Sequence, residues 1–196
     1  VTISGKLVNG TKNTDIPQNV SVTIQIFEGN SELDSVHSTH ATNGQFAFEN
    51  MPLGEAHQYI ITATYLGVQY RKRVDANANL MDVQITLYEV TDSLEDVSIS
   101  IDTMVILGAQ LPARKLAIME ILRVVNSGDR AFLPDVDNLS SMNFLRFPLP
   151  PEALELEIQS DFFDGKAIQV DKGLGLIVSI PPGSYGVVLN YFAPYM

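Results

Sequence analysis

The stretch VSVTIQI, at residues 20–26, alternates apolar and polar side chains without a break. Valine or isoleucine occupies the even positions, and serine, threonine or glutamine occupies the odd ones. Successive side chains of a β-strand point to opposite faces of a sheet, so this period of two predicts a half-buried strand. The fold is therefore expected to contain a sheet with one face on a hydrophobic core.

The stretch TNGQFAF, at residues 42–48, predicts a hairpin farther along the chain. Asn43 and Gly44 lie between two extended runs, at 36–41 and 45–49. Both central residues of a type I′ turn need a positive φ, and Asn-Gly is the pair that adopts this turn most readily.

Similar short apolar runs, separated by turn residues, fill the rest of the first half. Leu66-Gly67 makes one such turn. The predicted strands lie at 2–8, 20–26, 36–41, 45–49, 59–65, 68–74 and 83–88. This density of short strands is typical of a β-sandwich.

The second half repeats this texture with longer runs. A polar segment at 89–95 is expected to join the two halves. The predicted strands lie at 97–107, 116–125, 131–133, 142–147, 154–158, 167–170, 174–180 and 185–192. We therefore predict an all-β protein of two tandem β-sandwich domains, at 1–90 and 95–196.

Residues 113–125 are ambiguous, because they contain good helix formers and are apolar on most sides. Periodicity alone does not separate a buried helix from a buried strand. We predict a strand, because a glycine-containing turn follows directly and every neighbouring segment reads as β.

The first half resembles the carboxypeptidase regulatory-like domain, a transthyretin-like seven-stranded sandwich. The resemblance lies in the segments ISGKLV (3–8), VSVTI (20–24), TNGQFAF (42–48), MPLG (51–54) and YIITA (59–63). The second half resembles the Ig-like domains of bacterial surface proteins through its ending PGSYGVVL, at 182–189. These resemblances imply secretion or surface display, without an activity of the domains themselves.

Composition excludes several functions. The net charge of −11 disfavours nucleic acid and anionic lipid as partners, because both are polyanions. The chain has no cysteine, which excludes disulfides, thiolate catalysis and cysteine-ligated metals. We found no nucleophile elbow, and Gly173-Leu174-Gly175 enters a strand instead of a phosphate-binding helix. We therefore predict a protein that is not an enzyme and that carries no cofactor.

Two kinds of side chain could still form a site. His37 and His40, three apart on one strand, face opposite sides, and His57 is placed in a loop before Tyr59. The carboxylate and amide oxygens of Asp135, Asp137 and Asn138 form a weak candidate for a calcium site, with the capping of turns as the alternative. Glu152, Glu155 and Glu157 are interpreted as a solvated strand edge.

The function predicted from the sequence is that of an exported structural or interaction module, a spacer, an adhesin, or a subunit of a complex or filament. Its partner would be another protein or further copies of the chain. The alternative is an accessory module that binds carbohydrate or calcium, with aromatic residues as further candidates: Tyr65, Tyr70, Phe162, Phe163, Tyr191, Phe192 and Tyr195. Because the chain begins at Val1 and not at methionine, we expect an extracellular, cell-surface or periplasmic location, with room for a membrane anchor after Met196.

Overall fold

The computed structural model describes residues 1–29, 31–33, 36–136, 143–162, 165–170 and 173–195. Every regular element within these ranges is a β-strand, so the prediction of an all-β fold is confirmed. In the same ranges no helix is long and apolar enough to cross a membrane. The chain divides into two compact units, Val1–Glu89 and Val90–Met196.

The described part of the first unit contains eight strands. They are β1 (Ile3–Asn9), β2 (Val20–Glu28), β3 (Ser31–Glu32), β4 (His37–Ala41), β5 (Gln45–Phe48), β6 (His57–Tyr65), β7 (Val68–Asp75) and β8 (Val83–Leu87). One sheet has the order β3-β2-β6-β7, with β4 also paired to β2, and the other has the order β5-β1-β8. Both sheets bury one apolar face, which is the arrangement of a sandwich.

The alternation at 20–26 forms the half-buried strand that it predicts. Val20, Val22, Ile24 and Ile26 are all buried, while the residues between them are half-buried. On the neighbouring strand β6, Tyr59 and Ile61 lie directly beside Ile26 and Ile24 and are also buried.

The predicted hairpin is also present. Asn43 has a φ of 50° and Gly44 a φ of 74°, as a type I′ turn requires. The backbone N–H groups of Thr42 and Gln45 each donate to the other residue's carbonyl, over 2.9 Å. Phe46 and Phe48 follow on β5, and both rings are buried.

The described part of the second unit contains nine strands. They are β9 (Val90–Thr91), β10 (Val97–Gln110), β11 (Lys115–Asn126), β12 (Ala131–Phe132), β13 (Leu145–Pro148), β14 (Leu154–Ser160), β15 (Lys166–Val170), β16 (Gly173–Ile177) and β17 (Gly183–Pro194). A long sheet has the order β10-β11-β17-β14, and a shorter one has the order β13-β16-β15. The strand predicted for residues 113–125 is confirmed as β11.

The core of the second unit is built from both of these sheets. Leu122, Val187 and Leu189 contribute from the long sheet, and Phe147 and Leu174 from the short one. All five side chains are buried.

Three local features differ from the expectations. Residues 89–95, interpreted as a linker, include β9, which pairs with β12 in the second unit. Strand β3 was also missed, because a two-residue strand is too short to show a periodic pattern. His57, predicted in a loop, is instead the first residue of β6.

Candidate functional site

Strand β10 ends the long sheet of the second unit. It is 14 residues long and, among the described residues, pairs only with β11. The backbone N–H and C=O groups on its other side are therefore available to a further strand.

The core-side face of β10 is apolar apart from Asp102 and is largely uncovered. Met104 and Ile106 lie directly beside Glu120 and Ile118 of β11 and therefore share their face of the sheet. Glu120 and Ile118 are buried, yet Met104 is 56% exposed and Ile106 is 61% exposed. The core of the unit thus ends at β11 and leaves the apolar row of β10 in contact with solvent.

The opposite face of β10 is also partly apolar. Ile101 lies beside Arg123 on that face, and Thr103 lies beside Ile121. Ile101 is 45% exposed and Ile121 is 38% exposed. Apolar residues on both faces are typical of an interior strand, which is covered on both sides. We define the β10 edge as the exposed residues Ile99, Ile101, Met104, Ile106 and Leu107.

Strand β14, at the other end of the same sheet, shows how an edge is ordinarily protected. Glu155 and Glu157 are exposed on it, and the pairing with β17 shifts register between Leu154 and Glu157. Charged side chains and bulges both discourage the addition of a further strand. This agrees with the sequence interpretation for Glu155 and Glu157, whereas Glu152 is exposed in the turn that precedes the strand. Strand β10 also shifts register against its neighbour, between Ile99 and Ile101 and between Ile106 and Gly108, but it contains no lysine, arginine or proline, and Asp102 is its only charged residue.

A buried acidic group lies next to the β10 edge. Glu120 is 6% exposed, and burial raises the pKa of its carboxyl group. The hydrogen bond from Tyr191 lowers this pKa, and the nearby charge of Asp102 raises it further. Asp102 lies beside Leu122 and so shares the face of Glu120. Among the described residues, no cation forms an ion pair with either carboxylate.

The calcium candidate from the sequence is only partly described. Asp135 is exposed and lines a surface pocket of about 490 Å³, together with Lys166 and Ser179. Asp137 and Asn138 lie outside the described residues. Within the described ranges, no three histidine, aspartate or glutamate side chains form a cluster suited to a metal ion. The calcium site therefore stays a prediction.

The histidines do not converge. His37 and His40 lie on β4 beside Ile24 and Ser21, three residues apart and so on opposite faces. His57 packs edge-on against the ring of Tyr59, with 6.4 Å between ring centroids.

The aromatic candidates do not form one exposed surface. Tyr70 and Tyr191 belong to the two cores, and Phe162 stacks on Tyr185 with 5.0 Å between centroids. Phe163 lies outside the described residues. The remaining candidates, Tyr65, Phe192 and Tyr195, are half-buried.

The β10 edge was not among the candidate sites found from the sequence. The run MVIL at 104–107, within a strand that has no basic residue, was the available signal. It indicates an edge only if the position of the strand in its sheet is known, and sequence does not provide that position.

Comparison with known proteins yields no family. No protein-family model matches the chain, and no curated protein matches it. The carboxypeptidase regulatory-like resemblance therefore stays a prediction.

Two of the matching solved structures are full-length major pilins. SpaD from Corynebacterium diphtheriae is 9% identical, with a TM-score of 0.35 and coverage of 97% of this chain and 55% of the pilin. RrgB from Streptococcus pneumoniae is 10% identical, with a TM-score of 0.26 and coverage of 99% and 45%. The chain thus spans about half the length of either pilin, and a likeness at these scores does not assign it to a family.

Proposed function

We propose that this protein is an exported, non-catalytic structural or interaction module that binds a partner protein by strand addition at the β10 edge. In strand addition, an extended segment pairs with an exposed sheet edge through its backbone, and its alternate side chains occupy adjoining surfaces. The observation that supports the proposal is the exposed apolar edge of β10, with Met104 and Ile106 uncovered on the core-side face.

The contrast within one sheet supports a binding role for this edge. Both end strands face the same risk of unwanted pairing and both shift register against their neighbours, but β14 also has exposed glutamates, whereas Asp102 is the one charged residue of β10. Apolar residues exposed on a long edge strand favour association with another chain. The uncovered row is therefore suited to a partner strand.

The remaining parts of the proposal come from the sequence. Export and surface display are implied by the two domain resemblances. The absence of catalysis is inferred from the lack of cysteine, the scattered histidines and the absence of nucleophile and phosphate-binding motifs.

A neutral strand peptide tests the proposal. The probe has about ten residues of alternating threonine and valine, N-methylated along one edge so that it does not stack on itself. We expect it to slow hydrogen–deuterium exchange of the amides at 97–110 in the intact chain, because those amides gain hydrogen-bond partners. No added protection at 97–110 would contradict strand addition at this edge.

Two variants locate the binding. Met104→Lys together with Ile106→Lys places charges on the exposed row and should abolish the protection. Both side chains are more than half exposed, so these changes are expected to leave the fold intact. Glu157→Lys, on β14 at the other end of the sheet, is the matched control and should leave the protection unchanged.

A further inference from the structure

Strand β7 of the first unit is a second sheet end, and its charge is opposite to that of Asp102 on β10. Among the described residues, β7 pairs only with β6. Arg71, Lys72 and Arg73 follow one another on it and are all exposed. They are three of the 12 basic residues in a chain with a net charge of −11. Positive charge is therefore concentrated at this end of the sheet.

Lys72 lies in an otherwise apolar row. It pairs with Ile61 of β6, which is buried, so Lys72 shares the core-side face of its sheet with Val68, Tyr70 and Val74. Arg71 and Arg73 lie on the other face of the sheet. Arg71 donates a hydrogen bond to Oε1 of Gln69. Nε of Arg73 lies 3.9 Å from Oδ1 of Asp75. Lys72 has no ion pair among the described residues. A cation in the apolar row of an edge strand discourages a second apolar strand and favours an acidic one.

The β10 edge provides the matching acidic position. Asp102 lies in the core-side row of β10, and the buried Glu120 adds negative charge beside it. Two β10 strands paired with Asp102 opposite Asp102 would place like charges next to one another, and so would two β7 strands paired with Lys72 opposite Lys72. A β7 edge on a β10 edge instead places opposite charges together.

The side-chain sizes also match in one antiparallel register. With Lys72 opposite Asp102, Tyr70 comes opposite Met104 and Val68 opposite Ile106. Met104 and Ile106 are the exposed apolar residues that the second unit leaves uncovered. Directly opposed pairs in antiparallel strands have Cβ atoms about 5 Å apart, so Met104 and Ile106 would extend the row in which Tyr70 and Val68 are already buried.

We propose that the strand added at the β10 edge is β7 of a second copy of this chain, so that copies join head to tail. This inference rests on the proposed function, because it needs strand addition at β10 and names the strand that is added. The two surfaces are different patches of the molecule, so the contact is heterologous and can repeat from copy to copy. A single strand pair is a small interface, and we expect an association that is weak, reversible and sensitive to salt.

Sedimentation velocity of the full chain tests the inference over protein concentrations from about 10 μM to about 1 mM. The weight-average mass should rise with concentration at about 20 mM sodium chloride and rise less at about 500 mM, where the Debye length is only a few ångströms. Lys72→Glu and Asp102→Lys should each weaken association about tenfold, because each turns an attraction into a repulsion.

Exchanging the charges at positions 72 and 102 within one chain is the most decisive test of the contact. The double variant Lys72→Glu, Asp102→Lys keeps the net charge of −11 and should associate as the wild type does. An equimolar mixture of the two single variants should associate more strongly than either alone, because each variant supplies the edge that the other requires. Glu157→Lys changes charge as Asp102→Lys does, on an edge outside the contact, and should not weaken association.

The outcomes separate this inference from the proposed function. A chain that stays monomeric over the whole range, while the neutral strand peptide still protects 97–110, overturns the head-to-tail contact alone. If the chain stays monomeric and the peptide also gives no added protection at 97–110, both the head-to-tail contact and the proposed function are overturned. Association that neither single variant, Lys72→Glu or Asp102→Lys, weakens shows that the copies meet through other surfaces and also rejects the inference.

Discussion

Tyr191 donates a hydrogen bond of 3.2 Å from its phenol oxygen to Oε2 of Glu120 in the core of the second unit. Burial is the largest cause, and the charge of Glu120 the next, of a raised pKa of about 12 for Tyr191. The phenol therefore stays protonated and remains a donor. Burial also raises the pKa of Glu120, and the hydrogen bond opposes that change. The tyrosine thus stabilises a carboxylate that the core would otherwise disfavour.

Removal of this donor should destabilise the second unit. Tyr191→Phe keeps the ring and leaves Oε2 of Glu120 without its partner, at an expected cost of about 1–3 kcal/mol in the free energy of unfolding at neutral pH. Urea denaturation measures the effect. In a Glu120→Gln background, Tyr191→Phe should lower the free energy of unfolding by less, because a neutral amide loses a weaker hydrogen bond than a carboxylate does. Equal costs in the two backgrounds would show that Tyr191 acts by packing alone.

The raised pKa of Glu120 predicts a pH-dependent effect of Glu120→Gln. The folded protein binds the proton of Glu120 more tightly than the unfolded chain does, so protonation favours folding. This stabilisation by protonation is fully present at a pH below about 4.5, the ordinary pKa of glutamate. It is lost as the pH rises through the raised pKa of Glu120 in the folded protein. Glu120→Gln should therefore be more favourable to stability at a pH of about 7.5 than at about 4, because glutamine stays neutral at both.

Thermal unfolding of the two proteins in parallel measures this difference. Groups that do not interact with Glu120 contribute equally to the pH dependence of both proteins, so their effects cancel in the comparison. An effect of Glu120→Gln that does not change with pH, or that is more favourable at the acidic pH, would contradict the prediction.

Gly5 is expected to tolerate no side chain. It lies on β1 between β5 and β8, and a Cβ atom at this position would collide with the carbonyl oxygen of Val83 and the ring of Phe46. Gly5→Ala should therefore destabilise the first unit by about 3 kcal/mol, since strand backbone would have to move. Gly108→Ala is the matched control, because a Cβ at Gly108 meets nothing within 4 Å. Similar losses of stability in the two variants would reject this account.

The two units are expected to fold independently, as the predicted domains imply. Residues 1–89 and 90–196, expressed separately, should each give a cooperative thermal transition and dispersed amide resonances in NMR spectra. The physical reason is that each unit has its own pair of sheets with buried apolar faces. A fragment that shows no cooperative transition would mean that its sheets depend on the other unit.

Much of the fold could be predicted from the sequence because its signals are local. The alternation at 20–26 and the Asn43-Gly44 pair each depend only on neighbours along the chain, and both gave the observed element. The two-residue strands β3 and β9 were missed because they are too short to show a pattern, and β9 in addition is held by pairing with β12, a distant segment.

The candidate site could not be predicted in the same way. The sequence drew attention to Asp135, which lines a pocket, and to histidines that the fold keeps apart. It drew no attention to Met104 or Ile106, because an apolar residue in a strand is ordinarily a core residue. Their exposure depends on where the opposing sheet ends.

By itself, the sequence determined an all-β chain and the turn of its strongest hairpin, because side-chain period and turn conformation are properties of short segments. Only the tertiary structure decided that β10 ends its sheet and that Glu120 meets Tyr191, 71 residues away. Sheet order and burial arise from contacts between segments far apart in the chain. The apolar alternation that elsewhere builds the core therefore leaves, at β10, a surface suited to another strand.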